Sequence, residues 1–140
     1  MPQPPLPAPI VALLTRPNPA VIATVRPDGQ PVTVATWYLL DGAEIVVNMA
    51  ATRKRLVYLR ADPRVALTIL HAQDWNSHVS IVGRVTALED DPNFAGIDRQ
   101  SLQYKGHPYK NRRDPRVDAR IAIDTWHAWG EIAEVLRQET

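Results

Sequence analysis

The chain has 140 residues, enough for one domain and too few for separate catalytic and binding domains. A composition that is 45% apolar and 22% charged is that of a soluble globular protein and excludes wholesale disorder. The formal charge of +1 excludes general nucleic-acid binding through bulk positive charge; the absence of cysteine excludes disulfides and zinc–thiolate sites and fits a cytoplasmic location.

Met1 to Pro9 holds five prolines and no apolar run, so residues 1–9 read as a flexible Pro-rich arm, neither signal peptide nor membrane span. Residues 10–140 read as one domain. Ile10, Val11, Leu13 and Leu14 recur at helical spacing until Pro17 and Pro19 stop the pattern, which predicts a short helix. Ala20 to Val25 is a first strand and Pro27-Asp28-Gly29 a turn; Pro31 to Leu40 then alternates Val32, Val34 and Thr36 against Thr33, Ala35 and Trp37 as a second strand. Asp41-Gly42 turns into a third strand, Glu44 to Met49. The period then changes, with Leu56 and Leu59 three apart, predicting a helix that begins at Thr52 and ends at Asp62-Pro63. Val65 to Leu70 and Val79 to Leu88 are two further strands, with Gly83 as a bulge or close-approach site. Pro92 to Tyr104 is a helix, Lys105 to Arg116 a polar loop, Ala119 to Ile123 the last strand and Glu131 to Arg137 a terminal helix. Six strands with only short helices predict a mainly β protein, a closed antiparallel barrel, and the small size predicts a homodimer whose second copy completes a ligand pocket.

One local rule is broken. Thr52 suits a helix N-cap, yet Arg53, Lys54 and Arg55 follow in the first turn, where the positive end of the helix dipole disfavours cations. Three cations beside unpaired N–H groups suit an anion such as a phosphate, and the preceding strand can set the Asn48 amide beside a planar ring. A solvated basic turn is the plainer reading of the same residues. His71, His78, His107 and His127 lack metal-ligand spacing, and Ser77 and Ser80 sit in no nucleophile elbow. Trp75, Trp126 and Trp129 could wall a planar ligand or pack in core and interface, the latter being the stronger reading for Trp126.

The stretches AVIATVRPDGQPVTVATWYLL, IVVNMAATRKRLVYLRADPRVALTI, HVSIVGRVTAL and YKGHPYKNRRDPRVDARIAIDTWHAWG, in that order, resemble the pyridoxamine-phosphate-oxidase-like split barrels. Within them, YKGHPY resembles the deazaflavin (coenzyme F420) dependent reductases of actinobacteria. The resemblance implies a six-stranded split barrel, paired as a homodimer with two cofactor sites at the interface. It implies that Arg53 and Arg55, with Thr52 and Lys54 nearby, hold the cofactor phosphate, and that Thr36, Trp37, Asn48 and Met49 line the ring or its side chain. It implies that Trp75 and the segment His127 to Trp129 approach the cofactor, the latter from the partner subunit. Coenzyme F420 is the expected cofactor and FMN the alternative; Arg60, Arg112, Arg113 and Arg116 are candidates for the oligoglutamate tail of F420. The implied activity is hydride transfer from reduced F420 to a small organic acceptor, against an FMN oxidase or reductase, or a non-enzymatic cofactor carrier. His127, Tyr104, His107 and Tyr109 are the candidate proton donors.

Overall fold

In the computed structural model, which describes residues 1–139, the β-branched run after Pro19 forms β1 (Ala20–Val25), with Ala20, Ile22 and Thr24 turned to the core. The hairpin expected at Pro27-Asp28-Gly29 forms: β1 pairs antiparallel with β2 (Pro31–Thr36), and the Asp28 carboxylate accepts from the Gln30 N–H at 3.1 Å. β3 (Leu39–Asp41) and β4 (Glu44–Ala50) make the next hairpin, and α2 (Lys54–Ala61) follows. β5 (Arg64–Leu70), β6 (His78–Asp90), α3 (Ala95–Lys105), β7 (Arg116–Trp129) and α4 (Glu131–Gln138) complete the chain, with α1 (Ala8–Leu14) at its start. No helix among the described residues is long and apolar enough to cross a membrane.

All seven strands belong to one antiparallel sheet in the order β2-β1-β5-β6-β7-β4-β3. The two edges, β2 and β3, are neighbours in sequence, joined only by Trp37 and Tyr38. Laid flat, seven strands would hold those edges roughly 29 Å apart, whereas three Cα steps span at most about 11 Å. The sheet is therefore rolled until its edges nearly meet, and the seam between them stays unpaired. Strand spacing alone predicts six strands and a closed barrel, and the family resemblance a six-stranded split barrel; the structure has seven strands and leaves the barrel split. The extra strand arises because Pro31 to Leu40 is two strands, interrupted where Tyr38 turns inward and becomes fully buried.

Residues of α3 stitch the interruption. The Tyr38 N–H donates to the Tyr104 hydroxyl (3.4 Å), and Gln103 Nε2 donates to the Tyr38 carbonyl (3.3 Å). Those are the backbone groups that a continuous ladder would have satisfied. The core lies inside the roll, built from Ile22, Ile45, Val47, Leu67, Ile81 and Ile121, and α1 and α2 close it with Ile10, Leu14, Leu56 and Leu59. The Pro-rich arm lies on β7 beyond the end of β4, where the Trp126 N–H donates to the Pro2 carbonyl (3.0 Å) and the indole Nε1 to that of Gln3 (3.3 Å). The last strand runs fourteen residues where five were expected, since its outer part alternates apolar residues with Thr125, His127 and charged side chains.

Gly83 sits at a register shift of the β6–β7 ladder, and a Cβ there would lie 2.2 Å from the Ala122 carbonyl oxygen. That neighbour is backbone, held by the sheet, and cannot swing aside. Gly83→Ala should therefore lower the free energy of unfolding by roughly 1–3 kcal/mol, the usual range for overpacking; urea unfolding measures it, and an unchanged midpoint would contradict the close approach.

Candidate functional site

The basic turn does not begin its helix where the sequence suggests. The Arg53 N–H donates to the Ala50 carbonyl (3.0 Å) and closes a turn first, so Arg53 rather than Thr52 is the N-cap, and neither side chain caps the helix. Lys54 and Arg55 then occupy a first turn with no acidic residue. Thr52, Arg53 and Lys54 are exposed, while Arg55 folds inward. Arg55 Nη1 is buried without a hydrogen-bond partner. Burial, with the like charges of Arg53 and Arg116, pushes the Arg55 guanidinium below its usual value. A half-buried cation whose inner nitrogen has no partner and whose charged neighbours are cations is the electrostatic outline of an anion site.

Arg116, at the start of β7, is the hinge between this cluster and the cleft beside it. Its guanidinium lies 4.7 Å from the Tyr109 ring centroid, and its Nε donates to Asn48 Oδ1 at 2.7 Å. The Asn48 Nδ2 in turn donates to Asp118 Oδ1 (2.7 Å) and Asp91 Oδ2 (3.1 Å). Every polar atom of the Asn48 side chain is thus engaged, and its amide orientation is fixed by two carboxylates on one side and a cation on the other. Asp91 also caps α3, accepting from the N–H groups of Gly96 and Ile97 at 3.0 Å each. Burial, reinforced by Asp91, raises the Asp118 carboxyl above the ordinary carboxylate range, against the Asn48 hydrogen bond. Gly96 is required here, because a Cβ would meet Asp118 Oδ2 at 2.3 Å.

The cleft occupies the seam of the split barrel and encloses about 530 Å³, a size suited to a small molecule. Thr36, Trp37 and Asn48 line it, together with Gln100, Tyr104, Tyr109 and Arg116. The Trp37 ring stacks on Tyr104 (5.3 Å, 7° between planes) and meets Tyr109 edge-on at 6.1 Å. Met49, next to Asn48 on β4, points the other way into the core and is 1% exposed, so only its backbone could face a ligand. Tyr104 is committed to the seam: its hydroxyl donates to the Asn18 carbonyl at 2.6 Å, and burial pushes it up to about 12. Tyr109, the other tyrosine of the cleft, meets Trp37 and Arg116 through its ring. Of the candidate tail residues, Arg112 is held by Asp98 (2.5 Å) and lies over Phe94, whereas Arg113 and Arg116 line an adjoining cavity of about 400 Å³.

Trp75, His127 and Trp129 gather elsewhere. Trp129 stacks against His78 (5.9 Å) and meets His127 at 4.6 Å at the far end of β7, and Trp75 stands on the β5–β6 loop, 72% exposed. Trp126 is core, as its stronger reading has it. Gln100, Asp91 and Asp118 are absent from the residues singled out in the sequence. A signal was present for Gln100: Ile97, Gln100, Ser101 and Tyr104 follow helical spacing, so a glutamine sits on the buried stripe of α3.

Residues 6–130 match the family model of pyridoxamine 5'-phosphate oxidase. Among solved structures, an F420 reductase is 26% identical with a TM-score of 0.79, covering 87% of this chain and 98% of that one. A conserved hypothetical protein from Mycobacterium tuberculosis is 24% identical (TM-score 0.71; 94% and 89% covered), and an FAD-binding protein from Mesorhizobium loti 23% (0.59; 86% and 92%). None of the curated proteins matches the chain.

The Asp118 network carries a sign that can be measured. With its pKa raised in the fold, Asp118 holds its proton more readily folded than unfolded. The stabilisation this gives is complete below the unfolded value of about 3.9 and is lost as pH rises through the raised folded value. Asp118→Asn, which takes on no charge, should gain stability over the natural chain across that rise. Urea unfolding of both proteins from about pH 3.5 to about pH 7 reads the difference; parallel pH curves would speak against it.

Proposed function

Since the chain belongs to the pyridoxamine 5'-phosphate oxidase family, we propose that it is an oxidoreductase that binds a phosphate-bearing deazaflavin, coenzyme F420, and passes hydride to a small organic acceptor. The observation that carries this reading is the buried, unpartnered Arg55 Nη1, set among Arg53 and Arg116 beside a cleft walled by aromatic rings. A protein keeps such an arrangement only where an anion repays it. Similarity to an F420 reductase over nearly the whole of both chains favours the deazaflavin. The FAD-binding neighbour supports a second reading, a flavin held by the same residues.

The cofactor, once bound, supplies the hydride chemistry itself. The chain's part is to hold and orient. Arg53, Arg55 and Arg116 take the phosphate, with Thr52 and Lys54 at its exposed side, and Trp37 with Thr36 and Tyr109 bounds the ring. Asn48 acts through Arg116, fixing its direction by the 2.7 Å hydrogen bond to Nε. Tyr109 in the cleft, or His127 of a second copy, delivers a proton to the acceptor.

A homodimer belongs to the same proposal. Thirteen residue steps of β7 separate Arg116 from Trp129, roughly 40 Å along the extended strand, which favours a second copy as the route by which His127 and Trp129 reach the basic cluster. The outer face of β1, β5 and β6 offers a surface for pairing: Val21, Ala23, Ala66, Thr68, Ser80 and Val82 lie on it in register and carry no charge.

Two outcomes test the reading. Arg55→Met should weaken binding of F420 or FMN by about 1.5–3 kcal/mol, the scale of a charge-assisted hydrogen bond, while leaving the cofactor-free protein as stable as before or more so. Calorimetric titration and urea unfolding report the two effects, and undiminished affinity would end the phosphate assignment. If the site is shared, Arg55→Ala and Trp129→Ala should each bind poorly alone and regain binding when mixed, since exchange of subunits rebuilds one intact site per hybrid; a mixture no better than its parts would point to a site made by one chain.

A further inference from the structure

One residue of the cleft wall carries a buried polar atom that none of the described residues satisfies. Gln100, in the middle of α3, is 1% exposed, and its Nε2 donates to the Val46 carbonyl of β4 at 3.1 Å. That bond fixes the amide, because the flipped orientation would set Oε1 against a carbonyl oxygen. Oε1 is consequently turned from Val46, and it is buried without a partner.

Its neighbours along the cleft wall, Pro17, Pro19, Ala20 and Ile97, offer no side-chain donor. Asn48 is committed to Arg116 and the two carboxylates, and the Thr36 hydroxyl to the Trp37 carbonyl at 2.8 Å. The Trp37 indole, the Tyr109 hydroxyl and the Arg116 guanidinium also line the cleft, and none of them bonds Gln100 Oε1, which leaves a donor on a guest to satisfy it. The stacked Trp37 and Tyr104 rings make the site suited to a planar guest, and Arg116 sets its anionic end on the side of Arg55.

We propose that Gln100 is a specificity-determining residue whose buried Oε1 accepts a hydrogen bond from an imide N–H on a planar heterocycle held in the seam. This rests on the cofactor reading above and deepens it. The pyrimidine end of a flavin or deazaflavin carries such a group, the N3–H between two carbonyls. A guest whose only groups on that edge are acceptors would leave two acceptors facing each other in an apolar wall, and the cleft rejects it.

The decisive comparison alters the ligand and leaves the protein intact. FMN and F420, each beside its N3-methyl derivative, are titrated into the natural chain and into Gln100→Met. Methylation should weaken binding to the natural chain by about ten-fold or more, and Gln100→Met should weaken the N–H forms by a similar factor while leaving the methylated forms unmoved. Equal affinity of the N–H and N3-methyl forms for the natural chain overturns the assignment, a result that stands even if Gln100→Met fails to fold. An equal loss for both forms in a folded Gln100→Met also overturns it. Binding of either cofactor with no penalty on methylation removes the role of Gln100 and leaves the cofactor reading standing, whereas binding of neither FMN nor F420 removes both.

Discussion

A two-residue link governs this molecule. Because Trp37 and Tyr38 must carry the chain from one edge of a seven-stranded sheet to the other, the sheet has to roll, and because those two residues pair with neither edge, the roll cannot close. Tyr38 answers the resulting loss of ladder hydrogen bonds by turning inward and borrowing partners from α3, the hydroxyl of Tyr104 and the amide of Gln103. The helix that repairs the seam thereby becomes its wall. Tyr104 stacks under Trp37, Gln100 lies four residues earlier on the same helix, and the cleft forms between them as a consequence of the topology.

Polar satisfaction divides the structure in an informative way. Asn18 is buried and fully used: its amide donates to Leu13, its Oδ1 accepts from Ala72 and its carbonyl accepts from Tyr104. Asn48 is equally occupied. Against that standard, the buried side-chain atoms left without a partner among the described residues are Arg55 Nη1 and Gln100 Oε1. One is a donor that wants an anion and the other an acceptor that wants an N–H. Arg116 lines the cleft with Gln100 and repels Arg55. On the cofactor reading proposed above, the two opposite deficits would be met by one ligand that carries an anionic end and a donor edge.

Part of this was legible in the sequence. The turn residues placed the hairpins, Gly83 announced its close approach, and the cations after Thr52 stood out because they defy the helix dipole. The seam was hidden because Val32 to Leu40 runs through it as β-branched, aromatic and apolar residues without a proline or glycine, and such a run cannot distinguish one strand from two that belong to opposite edges. The inward side chain of Met49 has a related origin: adjacent residues on a strand face opposite ways, so Asn48 under α3 commits Met49 to the core. Asp91 and Asp118 were invisible, since their pairing with Asn48 spans 43 and 70 residues and depends on Gly96 leaving room beside α3.

β7 connects the two aromatic and basic groupings and also keeps them apart. Arg116 stands at one end against Tyr109 and Asn48, and His127 and Trp129 stand at the other with His78. A strand paired on both sides along its first half, and on β6 beyond it, cannot bend its ends together. The His127, His78 and Trp129 group therefore has two futures: a patch of its own, or a contribution to the cleft of a neighbouring copy. The second accords with the surface around it. The rows from β1 through β6 that lead to His127 hold alanine, valine, serine and threonine on their outer face, an uncharged path that favours burial against a like surface. Pairing through that face would carry the far end of one β7 toward another chain, and so turn the length that separates the two groupings into the means of joining them.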